Sequence, residues 1–214
     1  PLMLLTRQST TFDNCSHARD FLGGLARIRN VPAKTADHVL VERARRGDMD
    51  ALAGIFDRYW AQVWRAAYGV TRRKELADET AQETFIRAGL SHRHFDPARP
   101  LLPWLVKIAV NRAIDAVRTE SRSVPYGTPP ERHEIASDEG EALGEALAML
   151  PPDRRAVVVL HFHFGYTLEE TGQILDIPTG TVASRLSRAL RDLRSRLEES
   201  SDVKPRTENP RTGS

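Results

Sequence analysis

The sequence predicts an all-α protein with two small helical domains joined by a flexible acidic linker. Two blocks of the 214 residues have apolar positions at steps of three and four, and no stretch alternates convincingly with period two. Charge separates the blocks, because residues 34–119 carry 15 basic against 11 acidic side chains and residues 120–145 carry 2 against 7. A chain of this length fits one large domain or two small ones, since domains usually hold about 100–150 residues.

Four helices are expected in the first block, residues 34–119. Asp37 can cap the first helix, which should run to Arg46 and stop at Gly47, and Asp48 should begin the second. The second helix is predicted from apolar residues that share one face. These residues are Leu52, Ile55, Phe56, Tyr59, Val63, Ala66 and Ala67.

The rest of the first block predicts two helices on either side of a loop with three prolines. The third helix should cover residues 74–90. The fourth should start at Leu101 or Pro103, because proline fits the first turn of a helix, and it should end near Thr119. Its apolar face is formed by Leu105, Ala109, Ala113, Ala116 and Val117.

Residues 120–140 are interpreted as the linker. Pro, Gly, Ser and acidic residues dominate this stretch, which cannot bury enough apolar surface to fold alone. The second helical domain should then span residues 141–199. The two ends, residues 1–33 and 200–214, show no sustained period, and we expect a disordered N-terminal extension and a disordered tail.

The second domain contains the most specific local pattern: a capped short helix, a three-residue turn and a longer helix. Thr167 and Glu170 form a capping box, and a short helix should follow over residues 168–175. After the turn at residues 176–178, Thr179 is predicted to cap the long final helix. This spacing is typical of a helix-turn-helix, whose second helix enters the major groove of DNA.

The final helix separates an apolar sector from a polar one. The apolar sector holds Val182, Leu186, Ala189, Leu190, Leu193 and Leu197. The polar sector holds Thr181, Ser184, Ser187, Arg188 and Arg191. Arginine can donate two hydrogen bonds to a guanine edge, and hydroxyls can serve several bases. The alternative is a solvated face on an ordinary helical hairpin, and the capping box, the proline turn and the small residues at the helix entry together favour DNA binding. Arg185 and Arg194 lie at the flanks, where phosphate contacts fit better.

The fourth helix of the first block has a mixed face opposite its apolar one. That face holds Trp104, Lys107, Ile108, Asn111, Asp115 and Arg118. An aromatic ring, an amide and two cations in one stripe suit a single-stranded nucleic acid, because bases stack while cations hold phosphates. The alternative is that Trp104 packs between helices, and the pattern alone leaves both interpretations open.

The third helix has an acidic side formed by Asp78, Glu79, Gln82 and Glu83. An acidic stripe repels DNA, so a basic protein partner is the functional interpretation. The alternative is a solvated helix face, which is the commoner meaning of a charged stripe.

Four segments together resemble a known family. They read ADHVLVERARRGDMDALAGIFDRYWAQVWRAAY, ADETAQETFIRA, FDPARPLLPWLVKIAVNRAIDAVR and GTVASRLSRALRDLR. In this order they are similar to bacterial sigma factors, specifically to the small extracytoplasmic-function (ECF) group of the sigma-70 family, which keeps only domains 2 and 4. The resemblance covers roughly residues 36–199.

The resemblance implies roles for each of these surfaces. Asp78, Glu79, Gln82 and Glu83 match the helix that docks on the clamp helices of the largest subunit of core RNA polymerase, and the polymerase flap is a further expected contact. Trp104, Lys107, Ile108, Asn111 and Arg118 match the segment that opens and reads the −10 promoter element, with a flipped-base pocket expected in the loop around residues 95–103. Thr181, Ser184, Arg185, Ser187, Arg188 and Arg191 match the −35 reader.

The same resemblance implies partners and departures. Core polymerase, promoter DNA and an anti-sigma factor that wedges between the domains are the expected partners, and the acidic linker is expected to thread the RNA exit path. No cofactor, metal or catalytic residue is expected. Ala183 stands where many members have Lys or Arg, so one −35 contact should be missing. Thr171-Gly172 and Asp176 replace a common apolar-Ala pair and a common Gly, which predicts a looser turn.

Two other classes of protein are alternatives. An enzyme with a metal site could use the pairs His92/His94 and His161/His163, but i,i+2 spacing does not match the i,i+4 spacing that places two ligands on one helix face. We therefore interpret these histidines as structural or surface residues, with at least one near the core. A free-standing helix-turn-helix regulator that binds DNA as a dimer explains residues 146–199, but not the acidic third helix or the stripe around Asn111.

Composition points to a reducing cytoplasm, and the resemblance implies that this cytoplasm is bacterial. The single cysteine, Cys15, excludes an internal disulfide framework. No apolar run approaches the roughly 20 residues of a membrane-spanning helix, so no membrane insertion is expected. The N-terminal residues lack an apolar core followed by a small-residue cleavage site, which argues against secretion.

Overall fold

The computed structural model describes residues 34–91, 95–96, 99–123 and 138–202, and within these ranges the chain is helical and has no β-strand. The α-helices are α1 (Lys34–Arg45), α2 (Met49–Thr71), α3 (Lys74–Ser91), α4 (Leu101–Ser123), α5 (Asp138–Ala148), α6 (Pro152–Val158), α7 (Leu168–Leu175) and α8 (Thr179–Asp202), with a π-helical segment at Val159–His163. The predicted all-α class is confirmed. The predicted extension, the tail beyond residue 202 and the middle of the predicted linker lie outside the described residues.

The start of α1 differs from the prediction. The helix begins at Lys34, so Asp37 lies inside it and is not its cap. Asp37 is buried and accepts hydrogen bonds from the Tyr59 hydroxyl and from Arg58 Nη1, the latter at 2.9 Å. Burial and the neighbouring Asp37 carboxylate raise the pKa of Tyr59, which keeps the hydroxyl protonated and able to donate. The aspartate therefore joins α1 to α2.

The turn between α1 and α2 follows the prediction. Gly47 has a φ of 86°, a conformation that glycine adopts without steric cost. The Asp48 side chain caps α2 by accepting from the amides of Asp50 and Ala51 at 3.0 and 3.1 Å. Hydrogen bonds from Arg43 and Ala51 lower the pKa of Asp48, which keeps this cap ionised at neutral pH.

Helices α2, α3 and α4 pack on one another and form the N-terminal bundle, residues 34–123. The α4 helix begins at Leu101, as predicted, but continues to Ser123 and so ends four residues beyond the predicted Thr119. Its buried side is also wider than predicted, because it contacts α2 on one side and α3 on the other. The buried residues of α4 are Leu101, Leu102, Leu105, Val106, Ala109, Val110, Ala113 and Ile114.

Helices α5 to α8 form the C-terminal module, residues 138–202. Pro152 is the first residue of α6. The helix then becomes π-helical, and the Phe164 amide donates to the Val159 carbonyl at 3.1 Å. His163 at the end of this segment is buried, which confirms that one of the histidines lies near the core. A small apolar cluster belongs to this module alone and contains Ala146, Leu147, Leu150, Val158, Ala189 and Leu193.

The larger apolar cluster is shared by both halves of the chain. Val157 and Leu160 from the C-terminal module are fully buried in the same cluster as Tyr59, Val63 and Leu105 from the N-terminal bundle. The two halves therefore pack directly against each other in this structure. Within the described ranges, no helix is both long and apolar enough to cross a membrane.

Candidate nucleic-acid interface

The turn between α7 and α8 is closed by local hydrogen bonds. Thr167 accepts from the Glu170 amide at 3.1 Å and Glu170 accepts from the Thr167 amide at 2.8 Å, so the predicted capping box is confirmed. Asp176 has a φ of 59°, and its amide donates to the Gly172 carbonyl. The Ile177 amide donates to the same carbonyl at 3.0 Å. These bonds satisfy backbone groups that the end of α7 would otherwise leave open.

The predicted loosening of this turn is wrong. A Cβ atom on Gly172 would lie 2.8 Å from the Ile177 carbonyl oxygen, so the turn folds back into space that only glycine leaves open. Asp176 accepts the left-handed conformation, which short polar side chains tolerate better than bulky ones. The start of α8 also differs slightly from the prediction, since Thr179 is the first helical residue and the Pro178 carbonyl accepts from the Thr181 and Val182 amides.

Helix α8 presents its predicted polar sector to solvent. Ser184, Ser187, Arg188 and Arg191 are exposed, and Thr181 is half-buried. Val182 and Ala189 on the opposite side are fully buried and hold the helix in place. Leu190 departs from the predicted apolar sector, because it lies at the edge of the packed stripe and is exposed. The hydroxyls and guanidinium groups thus form a continuous outward face suited to a DNA groove.

Two residues of the predicted −35 set have partners within the chain. The Ser184 hydroxyl donates to the Thr181 carbonyl at 3.0 Å, a local bond in which the hydroxyl oxygen can still accept. Arg185 is half-buried, and its Nη2 lies 4.0 Å from Asp153 Oδ2 on α6. Arg185 is therefore directed toward its own module, unlike Arg188 and Arg191.

The predicted −10 face of α4 is contacted by the C-terminal module. Lys107 Nζ donates to the Gln173 carbonyl at 3.2 Å and lies 3.6 Å from Asp176 Oδ2. Arg118 Nη2 donates to both carboxylate oxygens of Asp153, each at 2.8 Å. Both cations of this set are thus held by acceptors on α6, on α7 or in the turn after α7.

The remaining residues of this set are half-buried. The Trp104 and Phe95 rings pack in a tilted arrangement, with centroids 4.8 Å apart and planes at 39°, and both Trp104 and Ile108 pack against the large apolar cluster. Packing between elements, the alternative considered for Trp104, therefore holds in this structure. Asn111 is half-buried on the same side of α4. In the predicted pocket loop, Phe95 is buried and its carbonyl accepts from Arg45 Nη2, whereas residues 97–98 lie outside the described residues.

The acidic set on α3 divides into two pairs. Asp78 is half-buried and accepts from Trp64 Nε1 at 2.5 Å. Glu83 accepts from Arg112 at 2.6 and 3.0 Å and from Arg87 at 2.9 Å. Burial raises the pKa of Glu83, but the hydrogen bonds from Arg112 and Arg87 outweigh it and hold the pKa below its usual value. Glu79 and Gln82 are exposed.

Sequence reasoning missed an apolar patch beside Glu79 and Gln82. Ile86 and Leu90 continue the same exposed stripe of α3 and are 51% and 78% exposed. Phe56, Trp60 and Phe85 form an aromatic cluster at its edge, with ring centroids 4.8 to 6.0 Å apart. The sequence contains a signal for this patch, since residues 79, 82, 86 and 90 recur at helical spacing. The acidic pattern alone did not reveal the two apolar members of the row. A row of exposed apolar residues of this kind is a candidate protein interface.

The histidines do not form a metal centre in the described part of the chain, where no three potential ligands come together. His161 Nδ1 is 2.9 Å from the Tyr166 carbonyl oxygen. Burial, together with the nearby cation Arg65, lowers the pKa of His163 to about 4, so this ring is neutral at physiological pH. His92 and His94 lie outside the described residues.

The described part of the chain is helical and contains a helix-turn-helix with an exposed basic helix face. It also has a separate stripe of acidic and apolar residues on α3. These are the features of a DNA-binding protein that also docks on another protein. Comparison with known proteins makes the class specific. Residues 55–123 match the family model for Sigma-70 region 2, and residues 140–193 match the model for Sigma-70, region 4. The first range covers α3, α4 and most of α2, and the second covers the helix-turn-helix.

Curated relatives agree over most of their length. The chain is 30% identical over 178 residues to the ECF RNA polymerase sigma factor SigW of Bacillus subtilis, a match that covers 74% of this chain and 95% of SigW. It is 32% identical over 167 residues to the RNA polymerase sigma factor CarQ of Myxococcus xanthus, covering 74% and 96%. The chain belongs to the ECF group of sigma-70 factors, which are transcription initiation factors.

A solved structure supports the same assignment. The structure of CnrH in complex with the cytosolic domain of CnrY is similar with a TM-score of 0.57 and 25% identity, over 79% of this chain and 99% of that one. A second structure, the sigma factor RpoE in complex with the anti-sigma factor NepR from Bartonella quintana, has a TM-score of 0.56 at 23% identity and supports the fold.

Proposed function

We propose that this chain binds core RNA polymerase through α3, reads unpaired −10 bases with α4 and holds the −35 duplex with α8. The strongest support is that the chain matches two sigma-70 family models in order. The region 2 model matches the half that contains α3 and α4, and the region 4 model matches the half that contains α7 and α8. A lone helix-turn-helix regulator accounts for the second match only. An enzyme accounts for neither.

Docking on polymerase is assigned to the exposed stripe of α3. Of the four residues predicted for it, Glu79 and Gln82 are exposed and are proposed to make direct contacts. Asp78 and Glu83 are proposed to act indirectly, because their hydrogen bonds to Trp64 and Arg112 fix α3 against α2 and α4. The exposed Ile86 and Leu90 add apolar area, which supplies more binding free energy than surface charge alone.

Reading of the −10 element is assigned to α4. Asn111 can both donate and accept at the edge of an unpaired base, and Lys107 and Arg118 can hold phosphates on either side of it. Trp104 and Ile108 are packed against the bundle, so their proposed role is to support this surface. Because the buried side of α4 is fixed by α2 and α3, the polar side is presented on a rigid element.

Reading of the −35 element is assigned to α8. Ser184, Ser187, Arg188 and Arg191 are exposed on one side of a helix whose other side is anchored by Val182 and Ala189. Thr181 and Arg185 are proposed to contact the DNA backbone, because both are half-buried and lie at the margin of this face. Phosphate contacts of this kind make the affinity fall with salt.

Regulation and location are proposed from the relatives. An anti-sigma factor is the proposed regulator, in keeping with RpoE bound to NepR. The bacterial cytoplasm, where RNA polymerase acts, is the proposed location. The division into domain 2 over residues 34–119, a linker at 120–140 and domain 4 over residues 141–199 remains a proposal, with helix α4 reaching residue 123 and helix α5 starting at residue 138.

Run-off transcription with purified core polymerase tests the proposed function. We expect transcripts from a cognate promoter only when the chain is added. A repressor would instead reduce transcription by a complete polymerase, and an enzyme would change neither reaction. Asn111→Ala should keep binding to core polymerase but reduce promoter opening, measured by permanganate reactivity of unpaired thymines. Ser121→Ala, an exposed change outside the predicted face of the same helix, is the matched control. Normal opening with Asn111→Ala would refute the role given to Asn111.

A further inference from the structure

The exposed stripe of α3 combines charge with apolar area. It is formed by Glu79, Gln82, Ile86 and Leu90. The aromatic cluster at its edge consists of Phe56, Trp60 and Phe85. Ile86 and Leu90 are more than half exposed, and apolar side chains exposed together in this way gain free energy when a partner covers them. The stripe therefore favours an amphipathic occupant that carries basic residues beside its apolar face.

The chain enters the N-terminal bundle close to this stripe. Asp37, in the first turn of α1, accepts hydrogen bonds from Arg58 and Tyr59 on α2. Phe85 of α3 packs against the rings at both ends of the same stretch of α2, residues 56–60. The start of α1 and the aromatic cluster are thus neighbours of the same turn of α2, and a separation of one to two helix diameters amounts to roughly 10–24 Å.

Residues 18–29 lie outside the described residues, and their sequence has the pattern of such an occupant. No period extends over residues 1–33 as a whole, but within this segment the apolar residues follow helical spacing. They are Ala18, Phe21, Leu22, Leu25 and Ile28. Steps of three and four of this kind are the anchor pattern of a helix that lies in an apolar groove. Gly23 and Gly24 disfavour a helix in isolation, so the pattern requires a partner surface.

The charges of the segment and of α3 are complementary. Residues 18–29 contain three arginines and one aspartate, which gives a net charge of +2. Helix α3 contains two basic and four acidic residues, which gives a net charge of −2. Opposite charges favour the encounter of the two surfaces and select against an acidic occupant. Charge and apolar spacing thus point to the same occupant.

The position of the segment in the chain favours an intramolecular contact. Residues 30–33 join the segment to α1 and span at most about 14 Å, while 12 residues in a helix extend over about 18 Å. Together these lengths exceed the separation between the start of α1 and the stripe. A short tether gives the segment a local concentration on the order of millimolar, which a second copy of the chain does not reach in dilute solution.

We propose that residues 18–29 cover the exposed stripe of α3 in the free chain and must leave it before core RNA polymerase docks there. The inference rests on the proposed docking role of α3. The covering segment competes with polymerase, because only the uncovered fraction of the chain can bind. If about nine-tenths of the molecules are covered, the apparent affinity for polymerase is about tenfold lower than that of an uncovered chain.

A spin label on the full free chain tests the contact. Cys15 is the single cysteine, so a nitroxide attached to it marks a position three residues before the segment. We expect the label to broaden the amide NMR signals of residues 79–90 on α3. The signals of residues 184–191 on α8 should keep their width, because the proposed contact does not include that helix.

Two double variants separate the segment from the rest of the extension. Leu22→Asp with Leu25→Asp replaces two of the apolar anchors, so it should remove the broadening on α3. The same variant should bind core polymerase about tenfold more tightly, because no covering segment competes. Titration of polymerase into chain labelled with fluorescein at Cys15 measures the affinity. Leu2→Asp with Leu5→Asp adds the same charge to the same extension, and this control should keep the wild-type broadening and affinity.

Three results would overturn the proposal. The first is an absence of broadening on α3 in the wild-type chain. The second is an equal effect of the two double variants on the broadening and on polymerase affinity, because added negative charge would then explain both. The third is broadening of equal size between separate molecules, measured in a mixture of spin-labelled chain and isotope-labelled chain, because the occupant would then be a second copy.

The exposed apolar residue Ile86 separates this inference from the docking role of α3. Ile86→Asp should remove the broadening and should also weaken polymerase binding. If it removes the broadening, but neither it nor Leu22→Asp with Leu25→Asp changes the affinity for polymerase, the contact stands and the docking role fails. If Ile86→Asp weakens polymerase binding while the wild-type chain shows no broadening, the docking role stands and the covering segment is refuted.

Discussion

Helices α4 and α8 carry the two candidate DNA-binding faces, but they are placed very differently. The α4 helix lies between α2 and α3 and also contacts α6 and α7, so even its polar side has protein neighbours. The α8 helix packs along one side only and presents Ser184, Ser187, Arg188 and Arg191 to solvent. The candidate face on α8 is thus open to solvent, whereas the candidate face on α4 is in contact with the C-terminal module. The difference shows that two helices with similar polar patterns can be packed very differently.

The largest expected effect comes from the buried side of α4. Leu105→Ala removes a fully buried side chain at the contact of three helices, and we expect a loss of about 2–5 kcal/mol in the free energy of unfolding, because both apolar burial and packing are lost. Leu190→Ala on the exposed edge of α8 should cost less than about 0.5 kcal/mol. Urea unfolding followed by circular dichroism measures both. Similar losses in the free energy of unfolding for the two variants would contradict the conclusion that α4 is packed on more sides than α8.

The next largest effect is the loss of folding stability at acidic pH. His163 lies near Arg65 and has a folded-state pKa of about 4 against an ordinary value near 6.5. Because the neutral ring is favoured in the folded state, His163 contributes up to about 3 kcal/mol to the free energy of unfolding. This contribution is complete above pH 6.5 and is lost as the pH falls toward 4. Urea unfolding between pH 7.5 and pH 4.5 should show this decline, and His163→Gln should flatten it. An equal decline in both proteins would assign it to other groups.

A smaller effect is expected for base reading by α8. Arg188→Ala should lose about 1–3 kcal/mol of discrimination at one upstream base pair, because a bidentate contact to a base edge would be removed. A panel of promoters with single substitutions in the −35 element, assayed by transcription, measures it. Arg194→Ala, at the flank of the same helix, should weaken all promoters alike. Uniform weakening with Arg188→Ala would make Arg188 a phosphate contact.

The smallest effect concerns the helix before α8. Thr167→Ala removes the hydroxyl that accepts from the Glu170 amide, and we expect a loss of about 1 kcal/mol in the free energy of unfolding. Thr167→Ser keeps an acceptor at the same position and should retain most of the stability. Thermal unfolding of both variants measures the difference. If serine and alanine behave alike, the side-chain cap contributes little here.

The parts of the fold that the sequence predicted well are those set by near neighbours in the chain. The capping box at Thr167, the cap at Asp48 and the turn at Gly47 each depend on residues within three or four positions, so their residue types are sufficient to predict them. The period of apolar residues likewise predicted that one side of α8 would be buried around Val182.

The contacts that were missed join residues far apart in the chain. Asp37 has the residue type of a cap, but its partners Arg58 and Tyr59 lie more than 20 positions away. The acidic stripe of α3 was predicted as one surface, whereas Glu83 is committed to Arg112 on another helix. Patterns of residue type along one helix do not identify partners on a second helix, and for the same reason they did not predict that the two halves would share a core.

The closed turn between α7 and α8 links the behaviour of two surfaces. The Gly172 carbonyl accepts from both residues that follow α7, and no room is left beside Gly172 for a side chain, so these two helices are held closely together. Gln173 and Asp176, which contact Lys107, belong to the same helix-turn-helix unit as Arg188. Any displacement of α7 from α4 would therefore move α8 with it.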